Sequence, residues 1–449
     1  MGQKIDRTYL FERMPVGQAV RRQIIPSIAS QMVILLYNLA DTYFVGLLND
    51  AAQTAAVSLA YSVTLLMTAL ANLFAVGGAG RIAQLLGRRD RDGAREVCAV
   101  SFWFALLASA AFCVLFTLLS SPILRLCGAT DETYALACGY SRWVISVGGT
   151  FSILNTVLAN LIRADGSAFA ASMGVSAGGI INMLLDPLFV LPRFLGMGAE
   201  GAGLATAISN AAGMLILLGI IAARRRVGVV ALRPGDLRAA RRHIGRILRI
   251  GLPSAGQVLL TLVAVGALTK FMSLYDTAAV AALGIVKKLD MLPLYFSIGV
   301  ANGLLPLLAY NYSAENHERR HRIFLCGCAV AVGFSVVCVA GYEVFAPALV
   351  RIFIGDAQTI AYGTKLLRIM VLAMPMMSVC YPMITQFQAM GRMRESLICS
   401  ILRKGSLDIP LLFVLNALFP LYGCAAVQPI VDCICMIVAI YFYKKLPTA

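Results

Sequence analysis

Residues 24–48 read IIPSIASQMVILLYNLADTYFVGLL, and residues 168–192 read AFAASMGVSAGGIINMLLDPLFVLP. Both runs exceed the ~20 apolar residues that cross the hydrocarbon core of a bilayer as a helix. Each run nevertheless carries one acidic residue, Asp41 in the first and Asp186 in the second. An ionisable side chain inside a bilayer is costly, and it usually faces a wet cavity or a partner on an ion or substrate path. These two carboxylates are therefore the first candidates for a functional site.

The rest of the chain has the same apolar character. Its 449 residues are 59% hydrophobic and only 13% charged, whereas a soluble domain has about 25% charged residues. Apolar stretches of roughly 20 residues recur along the whole length, and no soluble domain fits between them. We therefore predict an all-α polytopic membrane protein with about 12 transmembrane helices. The predicted spans lie near 24–48, 55–80, 96–119, 139–162, 168–192, 201–223, 250–272, 279–309, 323–347, 361–389, 396–418 and 423–443.

The net charge of +16 has a topological explanation. Most of the 38 Lys and Arg residues fall in connections that a model with this number of spans places on one side, above all 1–22, 81–95 and 224–249. This is the positive-inside pattern. It predicts that both termini are cytoplasmic, and it accounts for the basicity without a nucleic-acid partner.

The chain repeats itself at roughly half its length, which predicts a parallel repeat about an axis along the membrane normal. The matched elements are Pro26 with Pro253, Gln31 with Gln257, Arg163–Gly166 with Gln388–Gly391, and Leu185–Leu191 with Leu407–Leu415. The predicted units are an N-terminal segment at 1–22, a six-helix bundle at 23–223, a basic linker at 224–249 and a second six-helix bundle at 250–445.

Two smaller features accompany this plan. Tyr9, Leu10, Phe11, Met14 and Val16 predict a short interfacial helix that lies on the inner leaflet. Most of the 12 cysteines sit inside apolar spans, where Cys behaves as a small hydrophobic residue. A disulfide is open only for the pair that flanks a predicted outer loop, Cys127 and Cys138.

The two intramembrane aspartates have oxygen-bearing neighbours. Tyr37 and Asp41 are four residues apart and share a helix face, as do Asn182 and Asp186. Neither aspartate has a Lys or Arg within one turn of its own helix. With Thr206 from the sixth span they would form an oxygen-rich cluster suited to a proton or to Na⁺. The alternative is structural, with each aspartate bonding to a kinked or broken helix.

Other intramembrane charges look different. Asp408 follows Lys404 by four residues and Asp290 follows Lys287 by three, so we expect each to pair along its own helix. The seventh span has no carboxylate and neither has the tenth, which places ion coupling in the first half. The second-rank candidates are Lys270, Asp290 and Asp432.

The sequence offers little to an enzyme. Its three histidines, His243, His317 and His321, fall in predicted cytoplasmic loops, away from any embedded metal site. No phosphate-binding glycine loop with a following Lys-Ser or Lys-Thr is present. We expect no cofactor and no catalytic residues, and transport must then draw on an ion gradient.

Six motifs in order make the chain resemble the multidrug and toxic compound extrusion (MATE) family, in its bacterial DinF- and MepA-like branch. They cover essentially the whole chain: Tyr37-Asn38-x-x-Asp41-Thr42-x-Phe44-Val45-Gly46, Leu161-Ile162-Arg163-Ala164-x-Gly166, Asn182-x-x-x-Asp186-Pro187, Ala205-Thr206, Tyr310-Asn311-Tyr312 and Gln428-Pro429-Ile430-x-Asp432.

The resemblance implies two pseudo-symmetric six-helix bundles that form a V around a central cavity. It implies a monomeric antiporter in the bacterial plasma (inner) membrane that exports small-molecule drugs or metabolites as H⁺ or Na⁺ enters. The family's cation site falls on Asp41, Asn182, Asp186 and Thr206 here, and its first helix is expected to bend near Pro26. Which of the two ions couples stays open.

Two functions follow as hypotheses. In a cation-coupled multidrug exporter, Tyr37, Asn38, Phe44 and Met183 line the substrate cavity and hold flat cations through dispersion and cation–π contacts. The alternative is a lipid-linked saccharide flippase of the same superfamily. That function needs cations in the cavity to hold a diphosphate, and the candidates are Lys270, Lys287 and Lys288.

Overall fold

The computed structural model describes residues 8–48, 50–224 and 228–445, and all regular structure in those ranges is helical. Residues 1–7 of the predicted N-terminal segment and 225–227 of the predicted linker lie outside the described residues. The α-helices in chain order are α1 Val16–Gly46, α2 Ala51–Gly87, α3 Arg91–Leu126, α4 Asp131–Ser141, α5 Gly149–Ala164, α6 Ala168–Val190, α7 Gly198–Ala223, α8 Ala240–Met272, α9 Thr277–Ser313, α10 His317–Arg351, α11 Ala357–Val371, α12 Met374–Ala389, α13 Met393–Ile401, α14 Asp408–Leu418 and α15 Tyr422–Lys444. Short π or 3-10 turns occupy Tyr9–Arg13, Arg142–Val147, Pro234–Ala239 and Leu402–Ser406.

Nine helices in the described ranges are long and apolar enough to cross a membrane. Two pairs, Thr133–Val147 with α5 and α11 with α12, are bent by 45° and 44° and raise the number of spans to as many as eleven. The predicted span at 396–418 consists of α13, the π turn Leu402–Ser406 and α14, and this broken run carries several charges. The prediction of an all-helical, multi-pass membrane protein is confirmed.

The two halves are packed on a common plan. In the first half α1 packs on α6, α6 on α7, and α2 on α3 and α5. In the second half α9 packs on α10, α11 and α12, while α15 packs on α12 and α14. Between the halves α1 packs on α9 and α2 packs on α8 and α9. Four long helices therefore make the junction.

Glycines bring the junction helices into backbone contact. A Cβ on Gly77 of α2 would overlap the carbonyl oxygen of Ile247 on α8, and a Cβ on Gly251 of α8 would overlap that of Leu73 on α2. Small residues allow this close approach of membrane helices. Two glycines of α9 make the same close approach to α1. A Cβ on Gly299 would lie 2.7 Å from the Cα of Ile28, and a Cβ on Gly303 would lie 2.8 Å from the carbonyl oxygen of Gln23.

All of these contacts lie toward one end of the bundle, the end that contains the start of α1 and α8 and the close of α2 and α9. At mid-height the amide of Asn38 donates to the hydroxyl of Tyr295 on α9 over 3.4 Å. Farther along, Tyr43 of α1 and Tyr61 of α2 are exposed. The junction is therefore closed at one end, which we call the closed end.

The N-terminal segment lies against the closed end. Leu10, Phe11 and Met14 are buried within the protein. Phe11 stacks on Tyr310 of α9 with ring centroids 4.7 Å apart, and a Cβ on Gly166, between α5 and α6, would lie 3.2 Å from Phe11. The expectation that these apolar side chains lie on the inner leaflet is therefore wrong, because the protein itself offers them a place between its halves.

Hydrogen bonds from the second half hold this segment. Arg319 of α10 donates to the carbonyl oxygens of Phe11 at 2.7 Å and of Met14 at 2.6 Å. Asn311 also donates to the Phe11 carbonyl, at 3.3 Å. The segment therefore touches both halves and fills the closed end.

The structure corrects the register of the internal repeat. A Cβ on Gly201 of α7 would lie 2.6 Å from the carbonyl oxygen of Phe189 on α6, and Gly423 of α15 makes the same close approach to the carbonyl oxygen of Leu415 on α14. Phe189 therefore corresponds to Leu415.

This register moves the predicted match by about one helical turn. Asp186 corresponds to Leu412, and Asn182 corresponds to Asp408. The matching of Asp186 with Asp408 is wrong, because the close approach of α7 to α6 and of α15 to α14 aligns Asp408 with Asn182 instead.

The disulfide that the sequence left open does not form, since Cys127 and Cys138 are both free thiols. The place of His243 in a loop is corrected. The helix α8 begins at Ala240, within the stretch predicted as the linker, and His243 lies in it, buried and 2.8 Å from a carboxylate oxygen of Glu96.

The glycine contacts predict a stability difference within α8. We expect Gly251→Ala to lower the thermal unfolding midpoint of the purified protein by several degrees, because its Cβ meets the backbone of Leu73. The matched control is Gly256→Ala on the same helix, where a Cβ meets nothing within 4 Å. Its midpoint should stay level or rise, since Ala is favoured over Gly in a helix by about 1 kcal/mol. Equal midpoints for the two variants would contradict the close approach of α2 and α8.

Candidate functional site

The first-half site forms where α1 and α6 meet. A Cβ on Gly179 of α6 would lie 2.6 Å from Val33 and 3.1 Å from the ring of Tyr37 on α1. Glycine at this position lets the two helices approach at the level of Tyr37. One turn farther along α1 stands Asp41, and Asp186 stands about two turns farther along α6. Both aspartates therefore lie beyond this contact on the same side, within about one helical turn of each other along the two helices.

Asn182 connects α6 with α7. Its amide nitrogen donates to Asp186 Oδ1 at 3.3 Å and to Thr206 Oγ1 at 3.4 Å. Asn182 and Asp186 are 1% and 0% exposed. The structure therefore brings together the amide, carboxyl and hydroxyl groups that the sequence analysis singled out in the fifth and sixth spans.

Asp41 has a partner that the sequence analysis missed. The hydroxyl of Tyr140, on α4, donates to Asp41 Oδ2 at 3.5 Å. Tyr140 is itself buried. No spacing rule could find it, because it comes from a separate span and is brought in by the bend between α4 and α5.

Three buried oxygens of the site have no hydrogen-bond donor among the described residues: Asp41 Oδ1, Asn182 Oδ1 and Asp186 Oδ2. Buried polar atoms in proteins are nearly always hydrogen-bonded, so three acceptors in one place need an explanation. Protons and hard cations satisfy oxygen acceptors. No group of three or more His, Cys, Asp or Glu side chains in the described ranges could hold a metal ion. The oxygen set thus suits a proton or Na⁺ better than a transition metal.

The remaining first-half candidates surround this set less closely. Asn38 is exposed and bonds across the junction to Tyr295. Phe44 packs edge-on against Tyr43, with ring centroids 5.6 Å apart. Met183 is half-buried on the turn of α6 between Asn182 and Asp186. Pro26 lies inside α1, which continues through it from Val16 to Gly46.

The predicted pairs in the second half do not form. Among the described residues, neither Lys287 with Asp290 nor Lys404 with Asp408 comes within 4.0 Å as an ion pair. Asp408 Oδ2 is buried and has no hydrogen-bond partner among the described residues. Helical spacing permits such pairs. The backbone at Lys404 is not helical, however, because it lies in the π turn, and its side chain therefore does not point toward Asp408.

Asp432, a second-rank candidate, is paired with a residue outside its own helix. Arg403 Nε donates to Asp432 Oδ1 at 2.8 Å, and both side chains are 1% exposed. Gln428 donates to Asp432 Oδ2 at 2.9 Å, and Lys404 donates in turn to the Gln428 side-chain oxygen. Arg403 also lies over the ring of Tyr381, 4.5 Å from its centroid.

Two basic residues take part in this internal network. Arg403 and Lys404 lie within the predicted span 396–418, and they bond to Asp432 and Gln428. Lys270, in contrast, is exposed in the last turn of α8. Asp290 is half-buried on α9.

The Arg403–Asp432 pair is buried, so breaking it should be costly. We expect Asp432→Asn to lower the unfolding free energy by about 3–5 kcal/mol, because Arg403 is left as an uncompensated buried charge. The matched control is Glu395→Gln, whose partner Arg392 at 2.9 Å is partly exposed. Exposed pairs contribute about 1 kcal/mol at most. Thermal unfolding of the purified variants tests this, and a control that loses as much as Asp432→Asn would contradict the ranking.

Comparisons with known proteins agree on one family. The MatE family model matches residues 26–188 and again residues 253–414, once in each half. The chain is 29% identical over 437 residues to the multidrug export protein MepA of Staphylococcus aureus, and the match covers 97% of this chain and 95% of that protein.

Solved structures are similar along nearly the whole chain. A MATE transporter crystallised in complex with MaD3S superposes with a TM-score of 0.91 at 26% identity, covering 98% of both chains. A multidrug resistance MATE family transporter of the MOP superfamily, in an outward-facing conformation, also gives a TM-score of 0.91, at 25% identity over 98% of both chains.

Proposed function

Because the chain belongs to the MatE family, we propose that it is a cation-coupled multidrug antiporter that exports amphipathic, often cationic compounds by alternating access. Similarity to the multidrug export protein MepA supports the transport class. The observation that carries the coupling is the set of three buried oxygens at Asp41, Asn182 and Asp186 that have no donor among the described residues.

The site couples two cations by competition. With both carboxylates ionised it holds two negative charges out of water, which is unfavourable until a cation or a proton arrives. A drug cation and the coupling ion both relieve this charge, so each displaces the other. Thr206 and Asn182 add neutral oxygens, which suit Na⁺. Protonation of the carboxyls needs no further ligand, so H⁺ or Na⁺ serves the same exchange.

The helix that carries Asp41 also forms the junction. Pro26 removes one backbone hydrogen bond inside α1 and provides a place to bend. One turn on either side of it, α1 packs against Gly299 and Gly303 of α9. In the proposed cycle, ion binding at Asp41 bends α1 near Pro26 and thereby changes the contact with the second half.

The charge pattern orients the protein. The closed end carries the predicted cytoplasmic connections, which are rich in Lys and Arg. The opposite end, where Tyr43 and Tyr61 are exposed, therefore faces outward. The similarity to an outward-facing transporter supports this assignment. We place the protein in the bacterial plasma membrane as a monomer, with both termini in the cytoplasm.

The flippase alternative has less support. Lys270 and Lys288 are exposed, and Lys287 lines a cavity of only about 30 Å³. A diphosphate carries several negative charges, whereas the first-half site is itself negative. A cavity with that polarity favours a cationic substrate.

Neutralising the first-half carboxylates tests the coupling. We expect Asp41→Asn and Asp186→Asn each to lower ethidium export at least about tenfold, because loss of one charged hydrogen-bonding group commonly removes 1.4 kcal/mol or more. Export is measured in proteoliposomes with equal amounts of inserted protein. Asp92→Asn, at an aspartate that is 90% exposed, is the control and should export like the wild type. Wild-type export by either site variant would refute the proposed site.

The coupling ion is identified in the same proteoliposomes. The pH gradient and the Na⁺ gradient are collapsed separately while ethidium export is recorded. Loss of export on collapse of one gradient names that ion. Export that ignores both gradients would overturn the antiport mechanism.

A further inference from the structure

The second half contains a cluster of charged side chains with an excess of positive charge, in which Asp408 is buried and Lys287 and Lys404 are half-buried. Arg403 and Asp432 neutralise each other at 2.8 Å. The charged side chains that remain around them are Lys287, Lys404 and Asp408, which together carry one net positive charge. An uncompensated charge away from water is strongly unfavourable. This cluster therefore calls for one negative charge from outside the chain.

A cavity lies at this cluster. Its volume is about 30 Å³, and its polar lining is provided by Lys287, Lys404, Asp408 and Gln428. A cavity needs roughly 10–15 Å³ to hold one water, so this one holds about two waters or one carboxylate group. Apolar side chains of α8, α11, α14 and α15 line the rest of it.

The cavity occupies the place in the second half that the ion site occupies in the first. Leu268 follows Pro253 by 15 residues, as Asp41 follows Pro26, so Leu268 is equivalent to Asp41. Leu412 is equivalent to Asp186 in the register given above. Both leucines line the cavity. The carboxylates that make the first-half site negative are therefore replaced by leucines at the equivalent positions, and Lys287 and Lys404 line the cavity beside them.

We propose that this second-half cavity binds a single negatively charged group, either the carboxylate of a zwitterionic substrate or a small free anion such as chloride. Lys287 and Lys404 attract it, and Asp408 limits the site to a monoanion. Gln428 holds Lys404 in place, since its side-chain oxygen accepts from the lysine while its nitrogen donates to Asp432. The two halves then have opposite polarity, negative around Asp41 and positive around Lys404. Only the substrate part of this inference rests on the proposed export function.

Two dyes that differ in one group test the site by equilibrium binding, without transport. Rhodamine 110 is a zwitterion with a free carboxylate, and rhodamine 123 is its methyl ester. Binding to the purified protein is followed by fluorescence polarisation in chloride-free gluconate buffer. We expect Lys404→Gln to weaken rhodamine 110 about tenfold, as for loss of a charge-assisted bond, and to change rhodamine 123 less than about twofold.

Two further variants separate a binding role from a structural one. Asp408→Asn removes one negative charge from the cavity and should tighten rhodamine 110 binding while leaving rhodamine 123 binding unchanged. Lys270→Gln removes an exposed lysine of α8 and should change neither dye. A merely structural role for the cluster would weaken both dyes in both cluster variants.

The free-anion source is tested by thermal unfolding of the same proteins in chloride and in gluconate at equal ionic strength. A bound ligand raises the midpoint of the folded protein. A chloride-dependent rise in the wild type that Lys404→Gln abolishes identifies a free anion, and selective loss of rhodamine 110 binding identifies a substrate carboxylate. Either result supports the site. If Lys404→Gln changes neither the dye preference nor the chloride effect, the proposal is wrong.

These binding results stand apart from antiport. Loss of gradient dependence in the proteoliposomes would overturn the proposed function and leave the anion site intact. The converse also holds, since export of ethidium, a cation without a carboxylate, does not need the second-half cavity.

Discussion

The cost of burying charge away from water is the constraint on which this structure depends. A bilayer offers no hydration to a buried ion, so every intramembrane charge needs a partner or a ligand. In the second half the chain supplies most of the partners itself, through Arg403, Gln428 and Asp432. In the first half it supplies only neutral donors, from Asn182 and Tyr140. Under the proposed function, the unsatisfied charge of Asp41 and Asp186 is what a transported cation neutralises.

The site is mechanically connected to the rest of the molecule through α1. The same helix carries Asp41, contains Pro26 and packs against two glycines of α9. Backbone-to-backbone contacts of this kind leave no flexible side chain to absorb a shift. In the proposed cycle, a small change of α1 at Asp41 is therefore transmitted to the junction between the halves. The N-terminal segment reinforces that junction, since Arg319 and Tyr310 hold it from the second half.

The two halves show how one packing plan accommodates opposite chemistry. Equivalent positions hold Asp41 and Leu268 on the continuous helices α1 and α8, and Asp186 and Leu412 on α6 and α14, of which only the α14 run is interrupted by a π turn. Lys404 lies in that π turn and donates to Gln428 inside the second half. A zwitterionic compound in the central cavity would meet a negative site on one side and a positive site on the other.

The fold class followed from the sequence alone, because the length and composition of the apolar runs permit only helices that span a bilayer. Pairing between neighbours on one helix, such as Asn182 with Asp186, also followed from the sequence, since helical spacing places them on one face. Contacts between helices required the tertiary structure: Tyr140 beside Asp41, Arg403 beside Asp432 and Phe11 against Tyr310. The expected ion pairs Lys404–Asp408 and Lys287–Asp290 do not form, and this too could be seen only in the tertiary structure. Spacing along a helix fixes which side chains can meet, but bends, π turns and packing decide which of them do.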